Sequence, residues 1–164
     1  MDYHLNADEL FKVGVEIEKN GMAFYEAAAA SVREPRVSAL FRELAVWEVK
    51  HMELFENLRL SLPAEARRGD FFDPFSEEGA YIKDAADNHI FVKNADPAAL
   101  AARCGSAIEA LDFALTFEKD SVVFYTAMKK LIPPHLGQEK VDAIIEEEIR
   151  HVAILNGQKA ALVP

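Results

Sequence analysis

The sequence predicts an all-α protein: a four-helix bundle of two antiparallel helix hairpins joined by a long crossover that carries short helices. Three observations predict it. Apolar residues recur at intervals of three and four over four long stretches, the period of an amphipathic helix; glycine and proline are few and fall between those stretches; and the joins run short, long, short along the chain. With 164 residues, 51% of them hydrophobic, the chain is long enough to bury one sizeable core, so residues 1–164 are expected to form a single domain.

The first helix is expected from about Ala7 to Val32, opened by Asn6 and Glu9 as a variant capping box and closed before Pro35. The second begins near Pro35, a favourable first-turn residue, and stops by Pro63. The third follows Ser106, which stands at capping-box spacing from Glu109, and ends ahead of Pro133 and Pro134. The fourth runs from about Gln138 to Asn156, before Gly157. Residues 61–105 hold the aromatic cluster Phe71, Phe72 and Phe75 and two short helical segments, opened by Ser76 and by the pair Asp96–Pro97. A segment of that length can cross the bundle end to end, while the short links fold each helix pair back on itself; this is the one-crossover layout of ferritin-like bundles. Packing and solvation are its expected role, with a lid over a site as the lesser alternative.

Composition excludes several classes of function. The formal charge is −10 and no run of basic residues interrupts it, which argues against a nucleic-acid groove or an anionic membrane as partner and suits the capture of cations. The opening residues MDYHLNADELF contain neither a basic leader nor a sustained apolar run, so a soluble cytoplasmic protein is expected. Cys104 is the single cysteine, which rules out an intramolecular disulfide, a four-cysteine zinc site and a cysteine-held iron–sulfur centre. A metal site in this chain must be made of carboxylate and imidazole.

Such a set is present on the faces that ought to be apolar. In the first helix Phe11, Gly14, Val15, Glu18, Gly21, Met22 and Tyr25 share one stripe, and in the third Leu111, Ala114, Leu115, Glu118, Ser121, Val122 and Tyr125 do the same. The second places Glu48 and His51 among Phe41, Leu44, Ala45, Met52 and Phe55. The fourth places Glu148 and His151 among Val141, Ile144, Ile145, Val152 and Leu155. A lone Glu-x-x-His carries little weight in an acidic chain with five histidines. The spacing carries more: Glu18, Tyr25, Glu48 and His51 recur 100 positions later as Glu118, Tyr125, Glu148 and His151.

Two hairpins with the same internal spacing imply a pseudo-twofold arrangement with two half-sites face to face, as a dinuclear centre requires. Four buried carboxylates without cations would each cost several kcal/mol or take up protons. Two divalent ions balance four glutamates, with both imidazoles neutral. Ligation rich in oxygen, with one nitrogen per metal, suits two iron ions first, with manganese or zinc as substitutes. Six protein ligands on two metals leave open positions for a small oxidant.

The paired Glu-x6-Tyr and Glu-x-x-His segments, VEIEKNGMAFYEAAA with WEVKHMELFE and LTFEKDSVVFYTAM with EEEIRHVAIL, resemble the rubrerythrin branch of the ferritin-like superfamily across essentially the whole chain. The resemblance implies a non-haem diiron centre with Glu48 and Glu148 bridging, Glu18 and Glu118 terminal, and one nitrogen each from His51 and His151. It casts Tyr25 and Tyr125 as hydrogen-bond donors behind the ligands; a core ring with its hydroxyl satisfied elsewhere is the equal alternative. It also implies a homodimer and a place in the response to oxidative stress. Two departures matter. Rubrerythrin proper carries a four-cysteine rubredoxin module, which this chain lacks, so electrons must come from an external donor such as a rubredoxin or a flavoprotein. The family's extra glutamate one turn after the third-helix ligand is Ser121 here, with Asp120 beside it facing away.

Reduction of hydrogen peroxide or dioxygen is therefore the expected reaction. A ferroxidase or iron-storage role acting on Fe(II), and a bundle whose metal only stabilises it, are the alternatives. His4, His89 and His135 lie outside the repeat and are expected at the surface or in caps. Cys104 has no basic or histidine neighbour in sequence to activate it. Glu146 and Glu147 read as a solvated acidic face, and Val46 and Trp47 as either core or a dimer interface.

Overall fold

The computed structural model of the chain describes residues 6–68, 77–89 and 96–162. Among these, the chain forms seven α-helices, one 3-10 turn and no strand: α1 (Ala7–Ser31), α2 (Pro35–Ser61), α3 (Ala64–Arg68), α4 (Glu77–Asn88), α5 (Pro97–Arg103), α6 (Ala107–Leu131), the turn Pro134–Leu136 and α7 (Gln138–Ala160). The expected bundle is α1, α2, α6 and α7, with α3, α4 and α5 in the crossover; α3 had no signal in the sequence pattern. No helix among the described residues is long and apolar enough to cross a membrane. His4, Ser76 and the Phe71, Phe72 and Phe75 cluster lie outside the described residues.

The helix starts follow the local chemistry. The Asn6 side chain accepts from the Glu9 backbone N–H at 3.0 Å, and Asp96 does the same for Ala99 at 2.9 Å. Ser106 accepts from Glu109 N–H at 3.2 Å, and the Glu109 carboxylate reaches back to Gly105 N–H at 2.7 Å, one residue beyond the usual capping-box partner. The Arg67 guanidinium donates to the Arg59, Leu60 and Leu62 carbonyls, satisfying orphan acceptors at the end of α2 from α3. Ion pairs at the open ends fix both hairpins as antiparallel. Asp8 near the start of α1 meets Arg59 near the end of α2 at 3.2 Å, and Lys159 near the end of α7 meets Asp112 near the start of α6. Gly137 makes the turn into α7 with φ 104, a backbone conformation that favours glycine, and a Cβ there would also fall 2.3 Å from Leu58 Cδ2 and push that side chain aside.

Helix α1 packs chiefly on α2, and α6 on α7. Between the pairs, two aromatic layers close over the middle of the bundle. Phe11, Phe55 and Tyr125 form one, with ring centroids 6.2 and 5.1 Å apart; Tyr25, Phe41 and Phe117 form the other, at 5.6 and 5.9 Å. All six are fully buried, each stabilising the fold by roughly 1.5–3 kcal/mol.

The crossover does more than cover the bundle. Helix α5 lies on α1 and α4 on α6, and at the end of α4 the His89 ring enters the core. It stands edge-on to Phe117 at 5.8 Å, with Nε2 3.2 Å from Ser121 Oγ. The surface or capping place expected for His89 is thus wrong: Phe117 and Ser121 lie one turn apart on α6, and the ring covers both. His135 is exposed, as expected. The fourth helix also runs past its expected end, through Gly157 to Ala160. That glycine is exposed with no neighbour within 4 Å, so its cost to the helix is conformational and too small to end it.

Two predictions follow from these positions. Gly157→Ala should raise stability by about 0.5–1 kcal/mol in urea unfolding; a loss would mean that the last turn is not helical in solution. Burial lowers the His89 pKa to about 4 from an ordinary 6.5. The unfolded chain therefore binds a proton between these values that the folded chain refuses. Stability from this residue is complete above pH 6.5 and falls by up to about 3 kcal/mol as the pH drops to 4. Urea unfolding of wild type and His89→Gln at both pH values should give a shallower pH dependence in the variant.

Candidate metal centre

The inward stripes of the four long helices meet at mid-height, between the two aromatic layers. Glu18, Glu48, Glu118 and Glu148 are all buried to 1% exposure or less, and His51 and His151 to 2% and 4%. Their donor atoms form two overlapping groups. Glu18, Glu48 and His51 bring one atom each within 4.8 Å of one another, as do Glu48, Glu118, Glu148 and His151. Glu48 is common to both. Glu148 reaches both imidazoles, with Oε1 3.0 Å from His51 Nδ1 and Oε2 3.1 Å from His151 Nδ1. Each Nδ1 is also 3.6 Å from the glutamate of its own hairpin's partner helix, Glu18 for His51 and Glu118 for His151.

The hairpins brace each other across the centre. Tyr25 of α1 donates its hydroxyl to Glu118 Oε1 of α6, and Tyr125 of α6 donates to Glu18 Oε1 of α1. Of the two readings left open for the tyrosines, the donor geometry is the one observed, and each reaches the opposite hairpin. Gly21 lets the walls close in: a Cβ there would lie 2.6 Å from Phe117 Cζ and 2.9 Å from Glu48 Oε2.

Taken among themselves, these groups are electrostatically frustrated. Burial, and then the Glu18 carboxylate, raise the Glu48 pKa well above the usual range; burial and then Glu148 do the same for Glu118. Burial works against ionisation of Glu148 as well, but the Glu118 carboxyl and the His151 and His51 imidazoles beside it hold its pKa down. Burial would lower both imidazoles. Their carboxylate neighbours overcome it, raising His51 to about 12 through Glu148 and Glu18 and His151 to about 9 through Glu118 and Glu148. Burial and then Glu118 keep the Tyr25 phenol protonated, and burial and then Glu18 keep that of Tyr125 so.

This donor set fits divalent cations. Glu18 Oε2, both oxygens of Glu48 and Glu118 Oε2 are buried and make no hydrogen bond. Among the described residues no lysine or arginine pairs with any of the four carboxylates. Buried oxygens of this kind are expensive unless something positive meets them.

Two residues near the site escaped the sequence reading. Glu147 is not simply a solvated acid: its Oε2 lies 2.8 Å from His51 Nε2, the side chain only 27% exposed. Helical phase puts it beside the stripe, and only the neighbouring hairpin supplies its partner. His89 reaches Ser121, in the place where a further carboxylate was considered, and with Asp120 and Tyr81 it lines a surface cavity above that position. Cys104 stays apart, its thiol directed to the Leu100 carbonyl and its pKa raised by burial. Val46 and Trp47 are not core residues, being 57% and 38% exposed.

No family model and no curated relative matches the sequence. Among solved structures, the chain is similar to the crystal structure of a proposed ferritin-like diiron-carboxylate protein from Thermotoga maritima, with a TM-score of 0.71 and 22% identity over 98% of each chain. The fold of this chain is therefore the ferritin-like bundle, with a cluster of buried glutamate and histidine donors at its centre.

Proposed function

We propose that the protein is a non-haem diiron oxidoreductase of rubrerythrin-like type, reducing hydrogen peroxide or dioxygen with electrons from an external donor. The observation that carries this reading is the pair of overlapping donor groups, both containing Glu48, in which both oxygens of Glu48 and the Oε2 atoms of Glu18 and Glu118 are buried without a hydrogen bond. Glu18, Glu48 and His51 would hold one iron, and Glu118, Glu148 and His151 the other, with Glu48 and Glu148 shared between them. Two ferrous ions would supply the Lewis acidity and electrons that reduction of an oxygen–oxygen bond requires.

The chain's own residues set the conditions. Four carboxylates balance two divalent charges, so loading releases the protons that burial otherwise keeps on Glu48 and Glu118. Tyr25 and Tyr125 hold the Oε1 atoms of Glu118 and Glu18 in place, each keeping its proton at the phenol oxygen. The aromatic layers of Phe11, Phe55, Phe41 and Phe117 exclude water from both sides. Cys104 is the single cysteine, so no four-cysteine iron site lies within these residues, and an external donor supplies the electrons in this reading. Ser121 in place of a further carboxylate leaves the centre with four glutamates.

Anaerobic loading with two Fe(II) per chain, followed by peroxide or dioxygen, tests the reading. Rapid oxidation with the iron retained is expected. Continued consumption of added Fe(II) would assign the centre to iron oxidation and handling instead, and a correctly loaded sample that reacts with neither oxidant would sink both. Glu148→Ala should lose two-metal loading, seen as a drop in bound iron per chain. Tyr25→Phe and Tyr125→Phe should each keep the stoichiometry of two while weakening metal binding by about tenfold, because the carboxylate loses its orienting donor.

A further inference from the structure

The 100-residue offset gives every residue of the centre a counterpart, and the contacts repeat with it: Tyr25 on Glu118 is matched by Tyr125 on Glu18, and His51 Nδ1 on Glu18 by His151 Nδ1 on Glu118. Beside the imidazoles the repeat breaks. The counterpart of Glu147 is Trp47.

Glu147 reaches from α7 to the outer nitrogen of His51 on α2, Oε2 to Nε2 at 2.8 Å, and its other oxygen is 3.5 Å from Arg150. By the same twofold relation, residue 47 on α2 should reach the outer nitrogen of His151 on α7. The Trp47 ring stands beside that imidazole, its centroid 6.1 Å from that of His151 and 6.4 Å from that of His51. An indole, however, offers one N–H donor and no acceptor. Among the described residues no hydrogen bond holds His151 Nε2, whereas His51 Nε2 has a carboxylate.

The difference bears on ligation. A neutral imidazole that presents Nδ1 to a cation must carry its proton on Nε2, and an acceptor at Nε2 fixes that tautomer, locks the ring angle and makes Nδ1 a stronger donor. His51 has this support, and among the described residues His151 has none. We propose that the two metal positions are inequivalent, with Glu147 as a positioning residue that makes the His51 position the tight one and the His151 position, backed by Trp47, the weaker and exchangeable one. The inference rests on the dinuclear reading above. Loss of an outer carboxylate of this kind weakens metal binding by roughly ten- to a hundredfold, and the two positions differ by that order.

The test is an anaerobic titration of the whole chain with Co(II) alone, followed by its visible absorbance and by fluorescence of Trp47, the single tryptophan and a neighbour of both imidazoles. Wild type should bind two Co(II) in steps separated by about ten- to a hundredfold. Glu147→Leu should weaken the first step by about that factor and leave the second in place. Trp47→Glu, followed by absorbance, should strengthen the second step and draw the two together. Glu146→Leu removes the same charge from an exposed neighbour and should change neither, which separates positioning from bulk electrostatics. In the Zn(II)-loaded chain, proton NMR should show an exchange-protected His51 Nε2–H that disappears in Glu147→Leu. Fewer than two Co(II) per wild-type chain would defeat the dinuclear reading itself. Two Co(II) bound with equal constants, or a separation that survives Glu147→Leu, would overturn the inequivalence alone.

Discussion

Four carboxylates buried together with no lysine or arginine paired to them among the described residues are the constraint on which the rest of this structure depends. In a bundle of this size, apolar burial offsets the ordering of the chain by a small margin, and several unpaired charges in the core would consume that margin. The surrounding residues make the cluster tolerable. Protons on Glu48 and Glu118, hydrogen bonds from Tyr25 and Tyr125, and the imidazoles beside Glu148 all lower its charge or spread it. The same features make it a receptor for cations, since each oxygen left without a partner by the protein is a place for one.

That constraint also explains the position of the aromatic residues. Phe11, Phe55 and Tyr125 close one side of the carboxylate layer, and Tyr25, Phe41 and Phe117 the other. Two of the six rings carry hydroxyls, and both donate them to carboxylates. Each layer is thus apolar in bulk and polar at a single point. Gly21 allows the second layer to approach Glu48, and on the other half its counterpart Ser121 takes His89 from the crossover. The crossover therefore completes the core as well as spanning it.

The twofold pattern is strict where the ligands are concerned and relaxed around them. Positions 18, 25, 48 and 51 repeat at an offset of 100, whereas 21 and 121 or 47 and 147 do not. A pseudo-symmetric frame with asymmetric surroundings is a physical means of giving two chemically equal half-sites unequal properties.

Much of this was legible in the chain. Helix starts at Ala7, Pro35 and Ala107 follow from caps and prolines within a few residues, and the inward direction of Glu18, Glu48, Glu118 and Glu148 follows from helical phase. Both are local properties, decided by neighbours three or four positions away, so sequence alone determined the four long helices and the residues that line their centre. What lay beyond it was every pairing between elements. Tyr25 with Glu118, His51 with Glu147, Arg67 over the end of α2 and His89 against Ser121 depend on how far one helix slides and turns against another. That register is decided by the packing of the whole core, and only the tertiary structure contains it.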